Sequence, residues 1–219
     1  MRIDDYVAGL DRALSGPHGP KYDLVVEARD SLVDTADAFE AEGLARAEAE
    51  RLAVEEFGRI SEVAPGYQAE LTATAGRRLA LLLLTSVPAT VLMWGLIWQL
   101  YPGEAAAWAA RPGWHMTASL LIDILQLSVG VYGGLALLAL SRGRRWIPRP
   151  RLVTRSLGLA VWAMLPLTSA LGLLLSQGSY VPADLDRFPP VMLASLTTYA
   201  FGGLQLYCAS RCIRLTRTA

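Results

Sequence analysis

Apolar residues follow two different patterns along the chain, one before and one after about residue 76. In the first part they recur every three or four positions, which is typical of short amphipathic helices. In the second part they form long stretches, and a helix needs about 20 mostly apolar residues to cross a bilayer. Four stretches predict transmembrane helices: Leu79–Tyr101, Thr117–Leu140, Ser156–Leu175 and Pro190–Ala209. The last of these is the most polar, being rich in Ser, Thr and Gly.

Helix boundaries are also readable in the first 76 residues. A break at Ser15–Pro20 ends a first helix, Gly43 is the expected C-terminal cap of a second, and Gly58 ends a third that starts near Arg46. Ser61 is the expected N-cap of a further helix, which has Pro65 in its first turn and continues toward the first span. The residues expected in the core recur at helical spacing: Tyr6, Val7, Leu10 and Leu14; Tyr22, Val25, Leu32, Ala36 and Phe39; Ala49, Leu52, Ala53 and Phe57.

We therefore predict an all-α fold in which a small N-terminal cytoplasmic helical domain, residues 1–76, is followed by a four-helix transmembrane bundle, residues 77–219.

Charge separates the same two parts. The 20 basic and 20 acidic residues cancel overall, but residues 1–76 carry a net charge of −9 and the rest carry +9. Such a chain is not a single water-soluble globule, a disordered chain or a disulfide-stapled module.

The distribution of arginine predicts the orientation, because short cytoplasmic loops are enriched in Lys and Arg. Only Arg111 and Arg187 lie in the two loops assigned to the outside. The other side holds Arg77, Arg78, Arg142, Arg144, Arg145, Arg149, Arg151, Arg155, Arg211, Arg214 and Arg217. We expect a multi-pass protein of a bacterial inner (plasma) membrane with both termini in the cytoplasm. No cleavable signal peptide is expected, since the first long apolar stretch begins only near Leu79.

Within the first part, Gly43, the pair Glu48-Ala49 and the pair Phe57-Gly58 follow one another between an acidic helix and a helix that leads into a span. This order resembles the permease prefix domain 1 family, also described as the helical signalling domain associated with helix-turn-helix regulators. The segment Arg59-Ile-Ser61 departs from the residues usual after the second glycine. The resemblance implies a regulatory membrane protein, paired with a PadR-like transcriptional regulator or placed before the permease of an export system.

Three residues inside the predicted spans are candidates for sensing or movement. Asp123 is the only acidic residue in a span, and an ionised carboxylate facing lipid is costly. It is therefore either a sensing group that faces the bundle interior or a residue hydrated near the interface or hydrogen-bonded to a neighbouring Ser or Thr. Pro88 and Pro166 lie near the middle of the first and third spans, where each removes a helix hydrogen bond. They are either hinges or tolerated kinks.

Small and basic residues mark two further surfaces. The glycines that favour close helix packing, within the bundle or between subunits of a homodimer, are Gly130, Gly134, Gly202 and Gly203. The arginines of the loop between the second and third spans are Arg142, Arg144, Arg145, Arg149 and Arg151, followed by Arg155. This loop binds anionic lipid headgroups, docks against the acidic domain of the same chain, or serves only as a topology signal.

Acidic residues of the second helix form the candidate partner-binding face: Glu27, Asp30, Asp34 and Asp37. We expect no enzymatic activity, because no catalytic motif is present and the two histidines, His18 and His115, fall on opposite sides of the membrane. No cofactor or metal is expected, and the i, i+4 pair Cys208 and Cys212 is read as packing or lipidation. Direct nucleic-acid binding is disfavoured.

Three functions remain open at this point. The leading one is a sensor whose cytoplasmic domain holds or releases a PadR-like regulator. The second is an accessory subunit of an ABC-type export permease, bound through the glycine-rich faces. The third and weakest is a small transporter, which a single intramembrane carboxylate supports poorly.

Overall fold

The structure is a computed structural model that describes residues 1–100, 113–142, 150–176 and 189–217. These residues form seven α-helices and contain no strand, which confirms the all-α fold class. In chain order the helices are α1 (Ile3–Ala13), α2 (His18–Ala41), α3 (Arg46–Phe57), α4 (Ile60–Leu100), α5 (Gly113–Arg142), α6 (Pro150–Ser176) and α7 (Pro189–Arg217).

The chain divides into two compact units. The first, called here the helical module, comprises Met1–Ala75 and the C-terminal segment from Arg214, and the second, called here the membrane unit, comprises Gly76–Ile213. The helical module has one apolar core, which contains Leu10 of α1, Leu32 and Ala36 of α2, Ala49 of α3 and Leu71 of α4. Each of these side chains is completely buried, so four short helical segments share a single interior.

Tyr6 anchors this core with both its ring and its hydroxyl. The ring packs edge-on against Phe57 with 5.7 Å between centroids. The hydroxyl donates a hydrogen bond to the carbonyl oxygen of Gly58 at 2.9 Å. Burial, with a further contribution from the nearby Tyr67 and Glu62, raises the pKa of Tyr6 above its usual value. Tyr6 therefore joins the start of the chain to the end of α3.

The predicted α2 core is correct except at its first residue. Val25, Leu32 and Ala36 are buried, and Phe39 packs against the core. Tyr22 was expected on the same face but is 61% exposed, so that expectation is wrong. At about 100° per residue, Tyr22 is rotated away from the stripe formed by Val25 and Leu32, and the core begins one turn later.

Both predicted glycine stops are confirmed as helix ends. Gly43 and Gly58 have φ angles of 97° and 100°, in the region that disfavours side chains. After α2, the Gly43 amide donates to the Glu40 carbonyl at 2.9 Å and the Leu44 amide to the Phe39 carbonyl at 3.2 Å. This pair of bonds is a Schellman motif.

The start of α4 differs from the expectation. The helix begins at Ile60, so Ser61 lies inside it and is not its N-cap, and Pro65 is two residues further in than predicted. The Arg59 carbonyl accepts from the amides of Glu62 and Val63 at 2.9 and 3.1 Å, so Arg59 occupies the N-cap position, and its own amide donates to Oε2 of Glu62 at 3.4 Å. As expected, the helix continues without interruption into the first apolar stretch and ends at Leu100.

Gln68 of α4 holds the connection between α1 and α2. Its amide accepts a hydrogen bond from the Ser15 amide at 2.9 Å and donates one to the Ser15 carbonyl at 2.8 Å. Gln68 is buried, and it satisfies both backbone groups of a residue that has no helical partner for them.

The membrane unit reverses the usual distribution of polar and apolar side chains. Large apolar residues are exposed along its helices, whereas Ser86, Thr154 and Gln205 are buried. Three helical segments are long and apolar enough to cross a membrane: Ile60–Ile97, Gly113–Ser141 and Arg151–Leu175. An apolar surface of this extent is unfavourable in water, and the chain is therefore a membrane protein. The fourth predicted span, in α7, is not among these three.

Candidate functional site

The outer face of α2 carries an open depression of about 890 Å³ that we call the acidic α2 surface. The carboxylates that line it are Asp23, Glu27, Asp30, Asp34, Glu42 and Glu56. Tyr22, Val26, Ala38 and Phe39 add apolar area between them. It is thus a surface of like charge with exposed apolar side chains.

The sequence of α2 places these carboxylates together. Asp23, Glu27, Asp30 and Asp34 follow one another at intervals of four, three and four residues, and so lie along one side of the helix. Ala28 and the other buried residues of α2 occupy the opposite side. A helix that buries one side in this way exposes the opposite side, here the side with the carboxylates, to solvent.

The nearby arginines neutralise other carboxylates. Arg46 binds Asp37 at 2.6 Å and also Glu40 and Glu50 at 3.2 Å each. Arg51 binds Glu48 and Glu55 at 2.8 Å each. The hydrogen bond from Arg51 lowers the pKa of Glu48 below its usual value, and that to Asp37 is the first reason why the pKa of Arg46 is raised. Within the described residues, no ion pair involves the six carboxylates of the acidic α2 surface.

The predicted partner-binding face is therefore assembled in part. The structure brings Glu27, Asp30 and Asp34 together, but Asp37 points to Arg46 and does not line the surface. Sequence reasoning missed Asp23, although its spacing from Glu27 is a readable signal. It also missed Glu56, whose position depends on how α3 packs against α2.

A second candidate site lies inside the membrane unit, where all four of its helices line one cavity of about 80 Å³. The polar residues around it are Thr90 of α4, Gln126 of α5, Thr168 of α6, and Thr198 and Gln205 of α7. The remaining lining is apolar and includes Met164 and Phe201. None of the described lining residues is ionisable.

Gln205 is the central polar group of this cavity. It is only 8% exposed, and its Nε2 donates a hydrogen bond to Ser86 Oγ at 2.8 Å. The Ser86 hydroxyl in turn donates to the Leu82 carbonyl, so Ser86 can only accept from Gln205. This fixes the amide of Gln205 with its nitrogen on Ser86 and leaves its carbonyl oxygen as an acceptor.

The candidate residues inside the spans do not line this cavity. Asp123 is exposed on α5, so it does not face the bundle interior as the sensing interpretation required; its hydration near the interface stays a prediction. Pro88 and Pro166 lie within α4 and α6 and are exposed. Each is nevertheless next to cavity-lining residues, Val87 and Leu165. Their role as hinges stays a prediction.

The glycines of α5 pack within the chain. A Cβ added to Gly130 or Gly134 would come within 3.2 Å of Val87 or 3.3 Å of Leu84, respectively. The closest approach is at Gly133, which the predicted spacing did not single out, with 2.9 Å to Leu83 Cβ. On α7, Gly202 lines the cavity, and a Cβ on Gly203 would meet nothing within 4 Å.

Most of the predicted arginine loop lies outside the described residues: Arg144, Arg145 and Arg149 altogether, and the side chain of Arg142. Arg151 is half-buried in the first turn of α6. Cys208 and Cys212 lie on α7 and form no disulfide, and Cys212 is buried. Across the described parts of the chain, no group of three or more His, Cys, Asp or Glu side chains is arranged to hold a metal ion.

Fold and composition define the class of the chain as an all-helical membrane protein. Comparison with protein-family models, with curated proteins and with solved structures finds no match. The resemblance to the permease prefix domain 1 family stays a prediction.

Proposed function

We propose that this protein is a non-enzymatic regulator of the inner membrane whose helical module binds a cytosolic partner, a PadR-like transcriptional regulator, through the acidic α2 surface. The observation that supports this most is the set of six carboxylates without an ion-pair partner in the described residues, set among exposed apolar side chains. A stripe of like charges along a helix is typical of a binding face rather than of an active site.

The chemistry of the surface also defines the partner segment. A basic amphipathic helix would present Lys or Arg to Glu27 and Asp30 and apolar side chains to Tyr22 and Phe39. Its charge would remove the repulsion among the α2 carboxylates, where each like-charge pair three or four residues apart costs about 0.2–0.5 kcal/mol. Complementary charge would mainly raise the association rate and make binding sensitive to salt.

In this proposal α7 is the fourth span and both termini are cytoplasmic. Support for α7 comes from its exposed apolar stripe: Met192, Leu193, Leu196, Tyr199, Leu204 and Tyr207. The continuous α4 would carry a change in the membrane unit to the helical module. The signal that changes the membrane unit would thereby alter the affinity of the helical module for its partner.

The test is co-purification of the full chain with a PadR-like regulator from the same genome at several salt concentrations. We expect capture at low salt that decreases as salt rises. The double variant Glu27→Gln/Asp30→Asn should lose capture. The matched control Asp5→Asn/Glu70→Gln removes the same charge from exposed positions outside the acidic α2 surface and should keep it. Absence of capture at any salt would reject the proposal.

The alternative of an accessory export subunit has less support. Its predicted contact faces include Gly130 and Gly134, whose surroundings are already filled by Val87 and Leu84 of the same chain. Recovery of a transporter subunit in place of a regulator in the same purification would favour that alternative.

A further inference from the structure

The cavity of the membrane unit has the composition of a small binding site. It is lined from four helices, measures about 80 Å³ and combines five polar side chains with an apolar remainder. A cavity needs roughly 10–15 Å³ of volume to hold one water molecule, and an apolar cavity of about 150 Å³ accepts benzene. The volume therefore suits a molecule smaller than benzene, of about two to four heavy atoms.

The hydrogen bonds around the cavity show what such a molecule must offer. The hydroxyl groups of Thr90, Thr168 and Thr198 already donate to carbonyl groups of their own helices, at 2.8, 2.9 and 2.8 Å. Their oxygens keep only the capacity to accept. Thr198 also accepts from the indole nitrogen of Trp94 at 3.0 Å, which uses part of that capacity.

Gln205 adds another acceptor, because one N–H of its amide is bound to Ser86 and its carbonyl oxygen has no partner among the described residues; the second N–H of the amide can still donate. A buried acceptor without a hydrogen bond is costly in an apolar surrounding. The spare acceptors of Thr90, Thr168 and Gln205 therefore favour an occupant that donates hydrogen bonds, and the amide of Gln126 in the same lining can both donate and accept. The absence of ionisable side chains from the described lining favours a neutral one.

We propose that this cavity is a binding site for a small, uncharged hydrogen-bond donor of the size of a short alcohol. Gln205 and Thr168 accept hydrogen bonds from the ligand, and Phe201 and Met164 cover its apolar part. The site uses no residue of the acidic α2 surface, so it stands or falls independently of the partner proposed above.

Trp94 provides a probe of occupancy, because its indole contacts Thr198 at the cavity wall. The full chain is labelled with 5-fluorotryptophan and placed in lipid nanodiscs, and the Trp94→Phe variant identifies the Trp94 signal in the ¹⁹F spectrum. Two probes of equal heavy-atom count are titrated: 2-propanol, which donates and accepts, and acetone, which only accepts.

We expect the Trp94 resonance to shift and saturate with 2-propanol. Acetone should bind at least about tenfold more weakly, because it leaves the buried acceptors unpaired. Saturation should be lost in Gln205→Met and in Thr168→Val, which keep the size of the side chains. Thr197→Val should retain it, since Thr197 makes the same bond to its own helix at 2.8 Å but does not line the cavity.

Three results would overturn the proposal. A shift that grows linearly with either probe indicates partition into the bilayer. Equal affinity for acetone and 2-propanol removes the preference for a donor. An unchanged titration in Thr168→Val, the variant that disturbs packing least, shows that the probe binds elsewhere.

Discussion

Gly43 adopts a φ of 97° at the end of α2, and its neighbours close a Schellman motif. A side chain in this left-handed region costs roughly 1–2 kcal/mol. We therefore expect Gly43→Ala to destabilise the helical module by about 1 kcal/mol in urea unfolding of the full chain followed by circular dichroism. Gly66→Ala is the control: it lies within α4 with nothing within 4 Å of the added Cβ and should be neutral or stabilising. Equal losses in both variants would contradict the assignment of Gly43 as a cap.

Gly133 sets how closely α5 approaches α4. An added Cβ would lie 2.9 Å from Leu83 Cβ and 3.2 Å from the Ala80 carbonyl oxygen, neither of which is the end of a flexible side chain. Overpacking of this kind costs about 1–3 kcal/mol, so we expect Gly133→Ala to lower the thermal stability of the detergent-solubilised protein. Gly203→Ala, with open space around its Cβ, should raise it slightly. If Gly133→Ala is as stable as Gly203→Ala, the close contact is not present.

Tyr6 links stability to alkaline pH. Burial is the first cause of its raised pKa, so the folded module holds this proton after the unfolded chain has released it. Its contribution is complete below the unfolded pKa of about 10 and is lost as pH rises through the folded value. We expect urea stability to fall above pH 10 and to fall less steeply in Tyr6→Phe. An identical decline in both proteins would show that another group titrates.

At the scale of helices, periodicity predicted which elements exist, and local chemistry predicted several of their ends. The stops at Gly43 and Gly58 depend on backbone conformation alone and were readable from the sequence. The exposure of Tyr22 also agrees with the helical repeat, which places it off the stripe of Val25 and Leu32, whereas the start of α4 at Ile60 was missed because Ser61 is an equally good N-cap residue by type. The position of Gln205 could not be read locally: in the sequence it only adds to the polarity of the fourth apolar stretch, but in the folded chain it faces the cavity.

Gln68 also joins parts of the chain that are distant in sequence, since it binds α4 to the connection between α1 and α2. Replacing it by Met leaves the Ser15 amide and carbonyl unpaired, at a cost of about 1–3 kcal/mol. We expect Gln68→Met to accelerate hydrogen exchange of α1 amides in the full chain by the factor that corresponds to this free-energy cost. Ser61→Ala, at an exposed position inside α4, should change exchange by less than the equivalent of about 0.5 kcal/mol. If Ser61→Ala accelerated exchange by more than this, Ser61 would be the N-cap of α4 after all.

For the whole molecule, charge and hydropathy change near residue 76 of the sequence, and the chain divides into its two compact units between Ala75 and Gly76, with the segment from Arg214 belonging to the first unit. The sequence also predicted three of the six carboxylates of the acidic α2 surface. The cavity was not predicted, because its polar residues come from four helices that are distant in sequence. The sequence pointed instead to Asp123, the only acidic residue in a predicted span, which is exposed in the structure.

The number of spans decides on which side of the membrane each end of the chain lies. If only the three segments that meet the length and composition requirement cross, the two termini are on opposite sides; if α7 also crosses, they are on the same side. We expect four crossings, because the exposed face of α7 is apolar and two of its polar residues, Thr198 and Gln205, line the cavity. Arg211 and Arg214 after the fourth stretch fit a cytoplasmic end as well.

A fusion experiment tests this arrangement directly. Green fluorescent protein, which matures in the cytoplasm, and alkaline phosphatase, which is active only outside it, are each attached to the C-terminus and, separately, inserted within residues 177–188. We expect fluorescence and no phosphatase activity at the C-terminus, and the reverse in the insertion. Phosphatase activity at both positions would mean that α7 does not cross the membrane, which would contradict its hydrogen bond from Gln205 to Ser86 within the first apolar stretch.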